Sequence, residues 1–206
     1  RSAVWAQRSC DAWSREASEL FAIVQGGLHV DLRQKSAELL AGLELPGYAL
    51  GGFSVGEDMA ESYPVIERSA AMLPEHKPRY LMGVGFPEDI VRAVSYGIDM
   101  FDCVLPTRCA RTGMCFFPEG RLRIKNACYK DDLRPIDEQC SCYACRTVSR
   151  AYLRHLFIAN EITGIVLMTI HNIHYYLDLC RRMRQAIFRN EFKQFYDSFF
   201  SNLKYY

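Results

Sequence analysis

Three cysteines fall within six residues at C-S-C-Y-A-C: Cys140, Cys142 and Cys145. Thiolates at C-x-C-x-x-C spacing converge readily on one soft cation, and zinc completes such a set with a fourth Cys or His. His155, His171 and His174 lie downstream. Spacing alone leaves His171 and His174 both open. Four protein ligands make a closed, structural site with no position left for catalysis. Three reduced thiols left loose in a loop would instead be an oxidation hazard. A second set of reactive types closes a series of short apolar runs: Gln25-Gly26-Gly27, Gly51-Gly52, Met82-Gly83 and Asp102. The Gln25 amide offers a donor and an acceptor, suited to a purine edge. Gly51-Gly52 let backbone amides approach a ring that any side chain would hold off. A carboxylate such as Asp102 serves as a nucleophile or, by residue type alone, as a helix cap or loop contact. Directly after it, T-R-x-x-R (Thr107, Arg108, Arg111) places two guanidiniums that fork onto base edges or phosphates.

These residues need a scaffold, and residues 21–102 supply a repeating one. Short apolar runs alternate with amphipathic stretches. The runs are FAIVQGG, YALGGFSVGE, RYLMGVG and MFDCVLPTR; between them lie LRQKSAELLAGLE, MAESYPVIERSAAML and PEDIVRAVSYGI. The first of these stretches spaces Leu32, Leu39, Leu40 and Leu43 on one face, and the last opens on Pro87 and two acids, a good helix start. Strands alternating with helices predict parallel strands buried on both sides, as part of a doubly wound sheet or half of an eight-fold barrel. Chemistry gathered at the strand C-termini suits both, the barrel especially. GVGFPE is no dinucleotide fingerprint, because Glu88 stands where the third glycine belongs. After Arg108 the pattern changes. GMCFFPEGRLRIKN predicts a hairpin turning at Pro118-Glu119-Gly120. SRAYLRHLFIANEI predicts a helix, and a last long one is expected to open at His171 and run to the end.

Half of the 206 residues are hydrophobic, enough for one sizeable core or a core and an appendage. The longest apolar runs, such as Ile165–Met168, are far too short to span a bilayer. The net charge of +1 hides an acidic half, −6 over residues 1–103, and a basic half, +7 over residues 104–206. A basic half fits an anionic partner such as nucleic acid, or simply an uneven solvated surface. Of the nine cysteines, an odd count, six are scattered without framework spacing, which predicts reduced thiols in the cytoplasm. The opening RSAVWAQRSCDAWSREASEL reads as the inside or end of a helix, as in a chain whose N-terminal part is missing.

The blocks FAIVQGG, YALGGFSVGE, YLMGVGFPEDI, DMFDCVLPTRCARTG and C-S-C-Y-A-C with HNIHYY resemble, over essentially the whole chain, the C-terminal part of the bacterial tRNA-guanine transglycosylases, or queuine tRNA-ribosyltransferases. The resemblance implies an α/β fold, the C-terminal half of a (β/α)8 TIM-type barrel with a zinc-binding subdomain. Residues 1–115 would be second-half barrel units, 116–175 the hairpin and zinc insertion, and 176–206 the C-terminal helix. The implied reaction exchanges the wobble guanine of a tRNA for a 7-deazaguanine, queuine or its precursor, without cutting the backbone. It implies a homodimer acting on tRNA, with one structural zinc ion per chain and no membrane.

Residue by residue, the resemblance makes Asp102 the nucleophile. It assigns Gln25 and Gly52 to the base, Met82 to the base's face and Glu57 to orienting the loop peptides. RNA contacts fall to Gly83, Val84, Gly85, Phe86, Pro87, Glu88 and Asp89, and to Thr107, Arg108, Cys109, Ala110 and Arg111. Arg121, Arg123, Lys125, Lys130 and Arg134 would add phosphate contacts. The zinc ligands become Cys140, Cys142, Cys145 and His171. The family's general base and a second base-reading aspartate belong to a preceding half, so this chain by itself is expected to be inactive. Val55 matches the bacterial pattern and points to the smaller precursor base; Phe53 and Ser54 depart from the commoner bacterial Leu and Ala. Two other readings are a non-catalytic tRNA-binding partner of the same fold, which a missing nucleophile would signal, and a zinc-stapled structural domain. The latter leaves the strand-end residues unexplained.

Overall fold

A computed structural model of the chain describes residues 1–14, 16 and 18–204. They form two compact units, Arg1–Cys103 and Val104–Tyr206. The boundary coincides with the change of charge from −6 to +7.

The first unit is a mixed α/β layer. Helix α1 (Ser2–Ala12) precedes strands β1 (Phe21–Val24), β2 (Gly47–Leu50), β3 (Arg79–Leu81) and β4 (Met100–Phe101). Helices α2 (Val30–Ala41), α3 (Met59–Ala71) and α4 (Pro87–Ser95) connect them. The strands are all parallel and lie in chain order β1-β2-β3-β4. Every residue of β2 is buried, as expected of a strand covered on both faces. Local signals set the helix starts. Asp58 caps α3 by accepting from the Ala60 N–H at 2.9 Å, and Pro87 opens α4 with Glu88 and Asp89 in its first turn. Val24, Leu40, Leu50, Ile66 and Leu81 centre the core.

One expectation for α2 changes. Leu32 and Leu39 are 49% and 61% exposed, and the inward face is Arg33, Ala37 and Leu40. The ends of β1 and β2 present carbonyls that need donors. The helix therefore turns Arg33 inward beside Leu40 and leaves Leu32 and Leu39 outside.

In the second unit α5 (Leu105–Thr112) ends at Gly113, whose φ of +85° suits the left-handed helix stop. T-R-x-x-R is thus helical. Strands β5 (Met114–Phe117) and β6 (Gly120–Arg123) form the expected hairpin, closed by Pro118 and Glu119, with Phe117 opposite Gly120. Helices α6 (Tyr143–Thr147), α7 (Arg150–Ile158), α8 (Ile162–Phe188) and α9 (Phe192–Asn202) follow. The last long helix does not open at His171. Helix α8 absorbs the apolar run Ile165–Met168 and breaks at Asn190, where φ is +58°. Cys115, Leu122, Ile124, Ile136, Leu153 and Met168 build the core. Among the described residues no helix is long and apolar enough to cross a membrane.

Candidate active site and metal centre

The cysteine cluster of the second unit meets His171 on α8. Cys142 caps α6, its sulfur accepting from the Cys145 N–H at 3.3 Å, which folds C-x-C-x-x-C into a cup. His171 closes the cup from the middle of α8. Its Nδ1 lies 3.7 Å from the sulfurs of Cys140 and Cys142 and 3.3 Å from that of Cys145. All four ligand atoms lie within 4.8 Å of one another. Zinc bonds of about 2.3 Å to sulfur and 2.1 Å to nitrogen set tetrahedral S···N separations of about 3.6 Å. The donor set and its spacing fit zinc, and these four residues are the metal-binding group of the chain. His171 Nε2 donates to the Phe116 carbonyl at 2.7 Å, fixing the tautomer that leaves Nδ1 for the metal. Hydrogen bonding from Cys145 holds the Cys142 thiol far below its ordinary pKa, against the opposing effect of burial. His174 faces Ser141 at 3.4 Å instead. All four ligands belong to protein, so the site is closed and holds shape.

Asn172, next to His171 and fully buried, carries that shape outward. Its Nδ2 donates to the carbonyls of Pro106 at 2.9 Å and Met114 at 3.1 Å, and its Oδ1 accepts from the Phe116 N–H at 3.2 Å. The first turn of α5 is therefore tied to the hairpin and to the helix that bears a zinc ligand.

In the first unit the parallel strands bring their C-terminal ends to one edge of the sheet. Asp102 follows β4 and is exposed; its Oδ1 accepts from the Tyr80 hydroxyl at 2.7 Å and from the Gly83 N–H at 3.0 Å. These two bonds, the tyrosine's first, hold its carboxyl below the usual range, and the same bond raises Tyr80 to about 12. The result is an accessible, ionised, oriented carboxylate. Gln25 lies against Gly51 and Gly52. A Cβ on Gly51 would meet Gln25 Nε2 at 2.7 Å, and one on Gly52, where φ is +74°, would meet Gln25 Oε1 at 2.9 Å. The glycines make room for the amide. Met82 is half-buried beyond β3, its N–H bonded to the Leu50 carbonyl at 3.1 Å.

Glu57 binds the loop before it. Its carboxylate accepts from the N–H of Ser54 and, at 2.9 Å, of Val55. Partial burial pushes its pKa up, but these amides and the Ser62 hydroxyl outweigh that and hold it low. Ser54 sits at φ +59°, a strained conformation that the two amide bonds restrain.

Of the other positions, Gly83 is exposed and Phe86 and Glu88 half-buried, whereas Val84, Gly85, Pro87 and Asp89 are buried. Asp89 accepts from the Tyr63 hydroxyl at 2.5 Å. Along α5, Thr107 is half-buried and Arg108 and Arg111 are exposed, but Cys109 and Ala110 face the core. Arg134 is engaged by Asp132 at 2.9 Å, and Arg150 meets the same carboxylate at 3.1 Å. Three participants escape sequence reasoning. Tyr80 looks like any strand residue, and Asn172 like a neighbour of the histidine. Arg33 alone leaves a trace: it is a cation on an otherwise apolar helical face with Ala37 and Leu40.

Fold and site together define an α/β protein with an enzyme-like cluster at its parallel strand ends and a closed zinc centre in its second unit. Comparison with known proteins narrows this. The family profile for queuine tRNA-ribosyltransferase matches residues 1–205. Queuine tRNA-ribosyltransferases of Staphylococcus aureus (strain bovine RF122 / ET3-1) and Janthinobacterium sp. (strain Marseille) are 52% and 54% identical over 97% and 95% of this chain. The chain belongs to the queuine tRNA-ribosyltransferase family. It spans about half the length of these relatives, 53% and 52%.

Proposed function

We propose that this chain supplies the nucleophile and one wall of the base pocket of a tRNA-guanine transglycosylase. The observation that carries the reading is Asp102: an exposed, ionised carboxylate oriented by Tyr80 and Gly83 at the end of the same sheet that sets Gln25 against Gly51 and Gly52. The Asp102 carboxylate attacks the anomeric carbon of the wobble nucleotide. The glycosidic bond breaks with its electron pair on guanine, and a ribosyl-aspartate ester forms. A ring nitrogen of the incoming 7-deazaguanine then displaces the carboxylate, losing its proton to a base outside this chain. Two inversions give net retention. Gln25 and the Gly52 peptide read the base, Met82 packs on its face, and Glu57 holds the adjoining loop. Val55 favours the precursor of queuine.

The remaining assignments follow from this reading. Four consecutive parallel β/α strands are half of a (β/α)8 barrel. The +7 half supplies phosphate contacts, and Gly83–Asp89 and Thr107–Arg111 are each RNA-contact segments for a tRNA whose wobble nucleotide is drawn out of its stack. Cys109 and Ala110 act there through the backbone of α5. The working enzyme is cytoplasmic, as its substrate is tRNA, and by its resemblance to the family it is a homodimer.

The test is exchange of labelled guanine into a wobble-guanine tRNA by the full-length enzyme and its Asp102→Ala variant. Exchange in the parent and none in the variant supports the reading. Exchange surviving in the variant removes Asp102 from the role, and tRNA binding without exchange in either favours a non-catalytic partner.

A further inference from the structure

We propose that Arg33 is the positioning residue of the base pocket: it locks the Gln25–Gly27 turn to the Gly51–Gly52 peptide and polarises that peptide. The inference deepens the reading of these strand ends as a base pocket and rests on it.

Arg33 has no exposed surface. Its Nε donates to the Gly27 carbonyl at 2.7 Å, its Nη1 to that of Val24 at 3.4 Å, and its Nη2 to that of Gly51 at 2.9 Å. Three acceptors from two separate strand ends are thus gathered by one planar fork. The guanidinium carbon lies 3.7 Å from the centre of the Phe53 ring, which closes the other side. Burial lowers the Arg33 pKa to about 10 and the nearby Glu57 charge opposes the fall, so the group remains a cation at neutral pH. An apolar side chain would fill this space without the cost of desolvating a charge. Only a guanidinium also satisfies carbonyls from both loops.

The glycines are shaped to it. A Cβ on Gly26 would meet Arg33 Cγ at 2.7 Å, and a Cβ on Gly52 would lie 3.8 Å from Nη2. The Gly51 carbonyl and the Gly52 N–H are opposite ends of one planar peptide. A charged donor on the carbonyl draws electron density from the peptide and strengthens the N–H as a donor. Gly52 is exposed and lies beside the Gln25 amide, so that N–H belongs to the surface read as the pocket. A purine carbonyl gains negative charge as the glycosidic bond breaks, and a preorganised, polarised donor stabilises it most at that moment.

The experiment compares guanine exchange by the full-length enzyme with its Arg33→Gln, Arg33→Lys and Phe53→Leu variants, together with their melting temperatures. Rates are normalised to enzyme trapped as the covalent tRNA adduct. Arg33→Gln is expected to lose about tenfold or more in kcat/KM for guanine, and Arg33→Lys to recover part of that while keeping KM at least about threefold high. Phe53→Leu keeps the three carbonyl bonds and is expected within about threefold of the parent. If Arg33→Gln does not fold, Arg33→Lys decides alone. Lower melting temperatures with unchanged KM and kcat per trapped site would make Arg33 merely structural and overturn the inference. A parent without exchange overturns the transglycosylase reading and this inference with it. A parent active alongside equally active Arg33 variants overturns this inference alone.

Discussion

Removing zinc should unfold the second unit rather than slow a reaction. The four ligands come from α6, the segment before it and the centre of α8, and the hairpin is joined through Phe116. Structural zinc in small domains contributes on the order of 10–16 kcal/mol, as much as the roughly 5–15 kcal/mol by which a whole domain is stable. By mass action each tenfold change in free zinc alters stability by about 1.4 kcal/mol, once zinc exceeds its dissociation constant. A unit of about 100 residues unfolds with an entropy near 0.2 kcal/mol/K, so its melting midpoint should move by about 7 °C per decade of free zinc. Calorimetry in zinc buffers, with metal analysis of the purified protein, measures both. The parent should carry one zinc ion per chain. Cys145→Ser and His171→Ala should lose it, and His174→Ala should keep it. A midpoint flat across two decades of free zinc would refute the reasoning. So would metal lost from the His174 variant and kept in the His171 variant.

Tyr80→Phe removes the larger of the two bonds that hold the Asp102 carboxyl low. The carboxyl pKa should rise towards its ordinary value. Because the nucleophile must be ionised, the acid limb of the exchange rate should move to higher pH, and an unmoved limb would show that Tyr80 does not tune Asp102. Gly51→Ala puts a Cβ 2.7 Å from both Gln25 Nε2 and Ile23 Cγ2 at a backbone that tolerates alanine. Overpacking should cost roughly 1–3 kcal/mol of stability, read by thermal melting, and displacing the amide should raise KM for guanine by about tenfold. An unchanged KM would remove Gln25 from base reading. Glu57→Gln should speed amide hydrogen exchange at Ser54 and Val55, since a neutral amide replaces a carboxylate that accepts both N–H groups.

Sequence by itself determined what depends on short-range order. Alternation of apolar runs with helical stretches marked the four parallel strands and placed the reactive residues at their C-terminal ends. Pro118 and Glu119 marked the hairpin turn, and C-x-C-x-x-C marked a metal site. Local chain geometry settles each of these within a few residues. The tertiary structure decided what depends on contacts between distant segments. His171 and His174 both lie on α8, three positions apart. Only the packing of that helix turns His171 onto the thiols and leaves His174 beside Ser141. Tyr80 reaches Asp102 because β3 and β4 pair in parallel, an alignment that no local pattern carries. Arg33 joins Leu40 on the inward face of α2, where Leu32 and Leu39 were expected, because carbonyls at two strand ends need donors. That demand exists only once the strands lie side by side.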